Sequence, residues 1–332
     1  MLLLRDIDFI KKDKTQHKMN KLNLHIAYSL VLAFVGLISC DNNTNKYTDT
    51  ATAGNIHIVV DDSYTSILEG EIYAFQSFYP KAKINAHYLQ EGDAVKMFLQ
   101  DSARIIVMNR ELNADELALF EERNLKPRVT KIAYDGVAVI THPSNKDTNL
   151  TLAQLQKIFS GENKKWSQLN SKSSLGDIKI ILDNKASSNG RLIQERFLKS
   201  NNFPANCFAA HSNSEVVQYV SKHPEAIGII GANWISDKDD TLALSFLKKV
   251  NVVALCDEKG ENKNEFFKPY QAYIKLKQYP LYRTVYIISR EARAGLGSGF
   301  TAFVAGDKGQ RIILKSGLVT ATAPIRIVEI NN

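Results

Sequence analysis

The sequence is poor in cysteine and lacks the residue patterns of metal, nucleotide and catalytic sites. It has 3 cysteines in 332 residues, with no Cys-x-x-Cys pair and no Cys/His spacing typical of zinc ligands. The glycine-rich segment 295–299 lacks the Gly-x-Gly-x-x-Gly spacing of a dinucleotide-binding loop, and we expect a loop before a helix there. We therefore expect no metal and no cofactor, and nothing in these patterns predicts an enzyme.

Clustered positive charge is also absent. The formal net charge is +7, of which residues 1–40 carry +3 through six basic and three acidic side chains. The rest of the chain has no run of Lys or Arg interleaved with aromatic residues, which nucleic-acid-binding proteins commonly show. A nucleic-acid partner is therefore not expected.

The long apolar run near the N-terminus is too short to span a membrane comfortably. Residues 26–39 form a mainly apolar run of fourteen residues, whereas a spanning helix needs ~20. With Lys21 ahead of it, the run fits the core of a signal peptide, and translation could start at Met19. The segment ends Leu-Ile-Ser-Cys40, which resembles a bacterial lipobox. We predict that residues 1–39 are removed and that Cys40 is lipidated; the alternative is a buried helix that ends in a free cysteine.

The residues after Cys40 are almost entirely polar. Such a segment cannot bury apolar surface, so residues 40–53 are predicted to be a lipidated cysteine and a flexible tether. The other two cysteines, Cys207 and Cys256, show no framework spacing. They are interpreted as two separate buried thiols, with a disulfide between them as the alternative.

From Asn55 onward, short apolar runs alternate with amphipathic helical stretches, which indicates an α/β fold. The chain is long for one core, so two lobes are expected: residues 54–135 with 285–332, and residues 136–284. Predicted strands at 56–60, 83–88 and 104–108 each run into a polar turn. A helix is expected at 94–100 and a further strand at 282–289. A fourth turn, 183–191, is the most polar, with a helix expected from about Leu192. Helix N-termini at the carboxyl ends of strands favour an anionic ligand.

Several segments together resemble the PstS family, the phosphate-binding proteins of ABC transporters. Residues 152–161 with Trp166 resemble its "L..L..IFSG…W" pattern, residues 224–228 its "PGAIG" strand entry, and residues 279–283 match "YPLYR". The resemblance spans about residues 55–322. It implies a type II periplasmic-binding-protein fold of two lobes, each a sheet flanked by helices, joined by a two-strand hinge. It also implies a non-enzymatic protein that closes on inorganic phosphate, works with an ABC permease and lies in the cell envelope, anchored to the membrane.

The turns that match the family's ligand turns supply the candidate binding residues. The candidates are Ser63, Tyr64, Asp93, Arg110, Ser187, Ser188 and Arg191. A guanidinium suits an oxyanion bidentately, and a serine at a helix start adds a hydroxyl to the unpaired N–H groups. Asp93 would accept a hydrogen bond from the O–H group that phosphate carries near pH 7 and sulfate lacks. The structural alternatives are helix caps for the serines and Asp93, and a surface ion pair of Arg110 with Glu111 or Glu116.

Two departures from the family pattern occur at the fourth turn. Residues 187–190 read Ser-Ser-Asn-Gly where the family has Gly-Ser-Gly-Thr, and Asn184 stands where the family usually has arginine. The leading hypothesis is a receptor that captures phosphate by lobe closure. A phosphate-ester hydrolase would need a metal cluster or an activated nucleophile. The remaining alternative is an anchored binding or signalling scaffold of the same fold, with another small anion or no ligand.

Overall fold

The computed structural model describes residues 49–198, 202–236 and 241–322. The predicted signal peptide and Cys40 lie outside these ranges. The strands are β1 (Gly54–Asp61), β2 (Ala82–Leu89), β3 (Ile105–Met108), β4 (Arg128–Thr141), β5 (Asn149–Thr151), β6 (Lys179–Leu182), β7 (Cys207–Ala209), β8 (Ala226–Gly231), β9 (Asn251–Val252), β10 (Ala254–Cys256), β11 (Tyr282–Ser289) and β12 (Val319–Thr320). The helices are α1 (Thr65–Phe78), α2 (Glu91–Leu99), α3 (Ala114–Glu121), α4 (Leu152–Phe159), α5 (Ser188–Phe197), α6 (Asn213–Val220), α7 (Thr241–Leu247), α8 (Gln271–Lys275), α9 (Leu296–Ala305) and α10 (Asp307–Lys315).

One sheet runs through both parts of the molecule, in the order β2-β1-β3-β11-β4-β8-β6-β7. Strand β4 joins its two halves, because its first part pairs antiparallel with β11 as far as Gly136, and its last part pairs with β8 from Val137. We call the strands β2, β1, β3, β11 and the start of β4 half A, and the end of β4 with β8, β6 and β7 half B. The predicted lobe boundaries near residues 136 and 285 stay predictions.

Half A is covered on both faces. Successive side chains of a strand point to opposite faces, so Ile58 and Val60 of β1 pack with Phe75 of α1 and Phe300 of α9. Between them, Val59 packs on the other face with the apolar side of α2. A sheet buried on both faces explains why β3 and the end of β1, which pair in parallel, are continuous apolar runs. The predicted α/β class is confirmed.

Several helices begin earlier than the sequence pattern indicates. The helix expected from Leu192 begins at Ser188, because the Ser187 side chain accepts the Gly190 N–H and caps it. The helix expected from residue 94 begins at Glu91. The segment predicted as a glycine-rich loop already belongs to α9 from Leu296 onward.

The last residues of the predicted tether are packed against the protein. Asp49 is 5% exposed, accepts the Leu296 N–H at 3.0 Å and pairs with Arg104 at 2.7 Å. The start of α9 leaves N–H groups without helical partners, and Asp49 satisfies one of them. Asp49, which the predicted tether includes, is therefore held by the folded part of the chain, and the predicted end of the tether at residue 53 stays a prediction.

Two further sequence-based points concern cysteines and membrane helices. Cys207 and Cys256 are buried free thiols, as expected for two separate core cysteines. Within the described ranges, no helix combines the length and the apolar character needed to cross a bilayer.

Candidate functional site

Two helix starts, one from each half of the sheet, meet near the strand that joins the halves. The turn after β1 carries Ser63 just ahead of α1, and the turn after β6 carries Ser188 as the first residue of α5. Their hydroxyl oxygens lie 3.3 Å apart, and both residues are buried. N-termini of helices this long attract negative charge. The turns predicted as ligand turns after β1 and β6 therefore converge.

A buried arginine reaches this meeting point from the sheet itself. Arg283 of β11 donates from Nη1 to the Ser188 hydroxyl at 3.2 Å. Its Nε donates to Asp135 Oδ2 at 3.0 Å, and Nη2 lies 2.9 Å from the same oxygen. Strand pairing fixes this ion pair, because Arg283 and Asp135 are register partners in the β11–β4 ladder. The guanidinium is therefore held in place before any ligand arrives.

Tyr64 completes the surroundings of this arginine. The Arg283 guanidinium carbon lies 5.6 Å from the centre of the Tyr64 ring, within cation–π range. The Tyr64 hydroxyl donates to Asp135 Oδ2 at 3.3 Å. Burial raises the pKa of Asp135, and Arg283 and Tyr64 act in the opposite direction by stabilising its charged form. The result is a buried arginine that keeps one edge turned toward a serine hydroxyl.

Two aspartates at the strand ends shape the converging turns. Asp61 accepts the Ser63 N–H at 3.0 Å and the Asn109 side-chain amide at 3.2 Å. Asp183 accepts the Ser187 hydroxyl at 2.6 Å and the Asn189 amide at 3.0 Å. Both carboxylates are buried and hydrogen-bonded within their own surroundings, so they hold the backbone of the turns in place.

A third aspartate adds a group that titrates near neutral pH. Burial, together with the charges of Asp61 and Asp183, raises the pKa of Asp62 to about 7. Near neutral pH, Asp62 is therefore present in both protonation states.

Of the predicted ligand residues, the structure brings Ser63, Tyr64 and Ser188 together. Ser187 lies next to this group, but its hydroxyl donates to Asp183 and accepts the Gly190 N–H. It therefore acts as the N-cap of α5, which is the structural alternative for the serines of this turn.

The two predicted arginines are engaged by carboxylates instead. Arg110 Nε donates to Glu91 at 2.8 Å, and its terminal nitrogens hold both oxygens of Glu116 at 2.7 and 2.8 Å. Arg191 bonds Glu91 through Nε at 2.8 Å and Glu195 through Nη1 at 2.9 Å. Protein carboxylates bond both guanidiniums in this structure, and the contact of Arg110 and Arg191 with an anion stays a prediction. For Arg110, the alternative of pairing with Glu116 is the one observed.

Asp93 is not brought to the cluster either. Because α2 begins at Glu91, Asp93 lies in the first turn of that helix and is exposed, whereas Glu91 is buried. Two residues correspond to about 200° around a helix, so only one of these carboxylates can face inward. The carboxylates near the serine pair are the aspartates that follow or lie within strands β1, β6 and β4.

The sequence-based selection missed Arg283 and Asp135. The available signal was a charged residue within each of two apolar strands, since such residues are almost never buried unless they are paired. Their pairing across 148 residues depends on the register of β11 and β4, which local patterns do not specify.

Comparison with known sequences agrees with this architecture. The sequence model of the protein family described as PBP superfamily domain matches residues 45–308 of this chain. A Pseudomonas aeruginosa protein named phosphate-binding protein PstS is 24% identical over 325 residues, covering 91% of this chain and 95% of its own length. A Staphylococcus haemolyticus protein of the same name is 25% identical over 236 residues, covering 70% of each chain.

Solved structures show the same fold. A substrate-binding protein from Clostridium perfringens, determined with bound phosphate, superposes with a TM-score of 0.67 at 21% identity, over 81% of this chain and all of its own. An ABC-type phosphate transport receptor from Vibrio cholerae superposes with a TM-score of 0.62 at 19% identity, over 80% of this chain and 100% of its own. The predicted type II binding-protein fold is confirmed.

Proposed function

The chain belongs to the PBP superfamily, and on this premise we propose that it is a solute-binding protein that captures inorganic phosphate for an ABC-type uptake system. The relatives that match most of its length are named phosphate-binding proteins, and the Clostridium perfringens structure of the same fold holds phosphate. The chain is a binding protein of this family and not an enzyme.

The observation that carries the proposal is the meeting of Ser63, Ser188 and Arg283. The Ser188 hydroxyl lies 3.3 Å from the Ser63 hydroxyl and 3.2 Å from Arg283 Nη1, and all three residues are buried. Phosphate oxygens accept hydrogen bonds from both kinds of donor, and charge-assisted bonds of this type are the strong ones. We infer that these three residues, with the backbone N–H groups of their turns, contact the anion.

The same distances support the proposal that the ligand is captured by lobe closure. The Ser63 and Ser188 hydroxyls are in hydrogen-bond contact with each other, so an anion enters between them only if the two sides separate. Ser63 belongs to half A and Ser188 to half B, and the crossing strand β4 joins the halves. Hinge motion about such crossing segments is a common way for binding proteins to close on a ligand.

We also propose that a lipid on Cys40 anchors the protein to a membrane of the cell envelope, facing the periplasm or the exterior. The motivation is the apolar run that ends in Leu-Ile-Ser-Cys40. Mass spectrometry of the membrane fraction should find Cys40 as the lipid-modified N-terminus. Recovery of an unmodified peptide that crosses the Ser39–Cys40 bond from the mature protein would contradict this assignment.

A thermal-shift screen of the purified protein against phosphate, sulfate, molybdate and small carboxylates tests the ligand. A ligand present at a hundredfold excess over its dissociation constant stabilises the folded state by ~2.7 kcal/mol. We expect phosphate to raise the melting temperature by several degrees and sulfate to do so much less. An unchanged melting temperature in millimolar phosphate would contradict the proposal.

One observation favours the alternative of a scaffold with another small anion or no ligand. Two of the predicted anion-binding side chains, Arg110 and Arg191, are bonded to Glu91, and the serine pair is surrounded by buried aspartates. The same screen separates the alternatives. A shift with molybdate or a carboxylate alone identifies another anion, and no shift with any of them supports the scaffold.

A further inference from the structure

Glu91 is a buried carboxylate on which two arginines converge. Its side chain is 5% exposed, and its Oε1 accepts from Arg110 Nε and from Arg191 Nε, both at 2.8 Å. The two arginines come from different parts of the fold. Arg110 follows β3 in half A, on the same side of the molecule as Glu91, whereas Arg191 lies on α5, whose apolar residues pack in the core of half B.

Arg191 makes a second bond across the same boundary. Its Nη2 donates to Asn109 Oδ1 at 2.6 Å, and Asn109 directly follows β3. Asn109 in turn donates to Asp61, the carboxylate that accepts the Ser63 N–H. The contact of Arg191 with half A is therefore linked, through Asn109 and Asp61, to the turn that carries one of the two proposed ligand hydroxyls.

Both acceptors of Arg191 in half A, Glu91 and Asn109, are also held by hydrogen bonds within half A. Arg110 holds Glu91, and a bidentate pair with Glu116 holds Arg110 in turn. Because these acceptors are already oriented and Glu91 is largely shielded from water, the cross-boundary bonds are stronger than an ordinary surface ion pair. Only the Glu195 contact of Arg191 stays within its own helix, at a spacing of four residues.

We propose that Arg191 with Glu91 and Asn109 forms a clasp that holds the two lobes closed when no ligand is bound. The proposal rests on capture by lobe closure. In this proposal the partner of Arg191 is the carboxylate of Glu91 and not the bound anion. The clasp raises the fraction of protein in the closed form, and the apparent affinity of a ligand that needs the closed form rises with that fraction. Arg191 and Glu91 are thus positioning residues for anion capture.

The test compares Glu91→Gln, Arg191→Gln and the double variant with the parent protein. X-ray scattering in phosphate-free buffer should give a larger radius of gyration for each single variant, because the lobes part more often. Calorimetric titration should show phosphate affinity lowered about tenfold by each single change, which corresponds to about 1.4 kcal/mol. The double variant should be no weaker than the singles, because both changes remove the same interaction. Glu195→Gln is the matched control and should behave like the parent in both measurements.

Two results would overturn the clasp. If Arg191 contacts the anion directly, Arg191→Gln weakens binding and Glu91→Gln tightens it, because Glu91 then only competes for Arg191. If the radius of gyration of both variants equals that of the Glu195→Gln control, the contact does not hold the lobes together. The scattering comparison uses no phosphate, so it tests the clasp even if the parent protein fails to bind phosphate and the proposed function is wrong.

Discussion

At the scale of single residues, the buried pair of Arg283 and Asp135 sets the chemistry of the site. An unpaired charge inside a sheet costs several kcal/mol, so each of these residues depends on the other for its burial. The pair leaves Arg283 Nη1 free to bond the Ser188 hydroxyl. An arginine whose charge is balanced by a carboxylate, and whose edge faces serine hydroxyls, suits an oxyanion because the oxyanion accepts from both.

Glu71 of α1 is a buried acid of a different kind. It is fully buried, and neither of its carboxyl oxygens has a hydrogen-bond partner among the described residues. Burial raises the pKa of Glu71 from 4.5 to about 8. The folded state therefore binds this proton more tightly than the unfolded state. The resulting stabilisation is fully present below pH 4.5 and is lost as the pH rises to about 8.

We predict that Glu71→Gln removes this loss. Each unit of pKa shift corresponds to about 1.4 kcal/mol, so the stability of the variant relative to the parent should increase by about 2–4 kcal/mol between pH 5 and pH 8.5. Urea unfolding at both pH values measures it. Glu69→Gln, an exposed change on the same helix, is the control. Parallel pH dependence of the Glu71→Gln variant and the parent would mean that Glu71 ionises normally.

From the sequence, a residue could be placed near the serine pair where its position depends on its own turn. Ser63 and Ser188 could be selected because a serine between a strand and a helix has a short list of roles. The side chains of Arg110 and Arg191 are long, so each can reach partners on several neighbouring elements. The sequence did not predict that Glu91 is a partner of both arginines, because the position of Glu91 depends on where α2 begins.

At the scale of elements, the start of α9 shows how a terminal segment is held. Asp49 accepts the Leu296 N–H, and Glu291 accepts the N–H groups of Gly297 and Ser298. Two carboxylates thus satisfy three of the free N–H groups of the helix and complement its dipole. Gly299, one turn into the helix, lets the backbone at Ala51 approach, since a Cβ there would lie 1.8 Å from the Ala51 carbonyl oxygen.

We predict that Gly299→Ala destabilises the protein by more than 1 kcal/mol. In an ordinary helix interior the same change stabilises by roughly 0.5–1 kcal/mol, so the expected sign is reversed by the clash with residues 49–53. Gly92→Ala in α2 is the control. A Cβ at Gly92 meets no described atom within 4 Å, so that change should stabilise. Chemical unfolding measures both variants, and equal effects at the two positions would contradict the packing of residues 49–53 against α9.

Element positions were predictable from apolar runs, but element starts were not. Strand β11 was expected at residues 282–289 and lies there, because a buried apolar run has clear ends. Helices α2 and α5 begin three to four residues before the expected positions. Their first turns carry polar side chains that cap or pair, such as Ser187 and Glu91, and these residue types are as common in loops.

At the scale of the whole molecule, one strand makes the two halves a single sheet. The alternation of strands and helices indicated an α/β fold with two lobes, and local patterns alone indicated where ligands approach. The neighbours of β11 were not predictable in this way. It lies between β3 and β4, far from them in sequence, and long-range pairing is set by the packing of the whole sheet. Arg283 enters the site through that strand.

The most direct measurement of the central claim is a calorimetric titration of phosphate into the protein and its Ser188→Ala variant. A lost hydrogen bond to a charged group is worth about 1.5–3 kcal/mol. Ser188→Ala should therefore weaken phosphate binding by about tenfold to a hundredfold. Ser77→Ala, at an exposed serine whose hydroxyl donates to the Tyr73 carbonyl of its own helix, should bind like the parent. Absence of phosphate binding by the parent, or equal affinity in the parent and Ser188→Ala, would contradict the account.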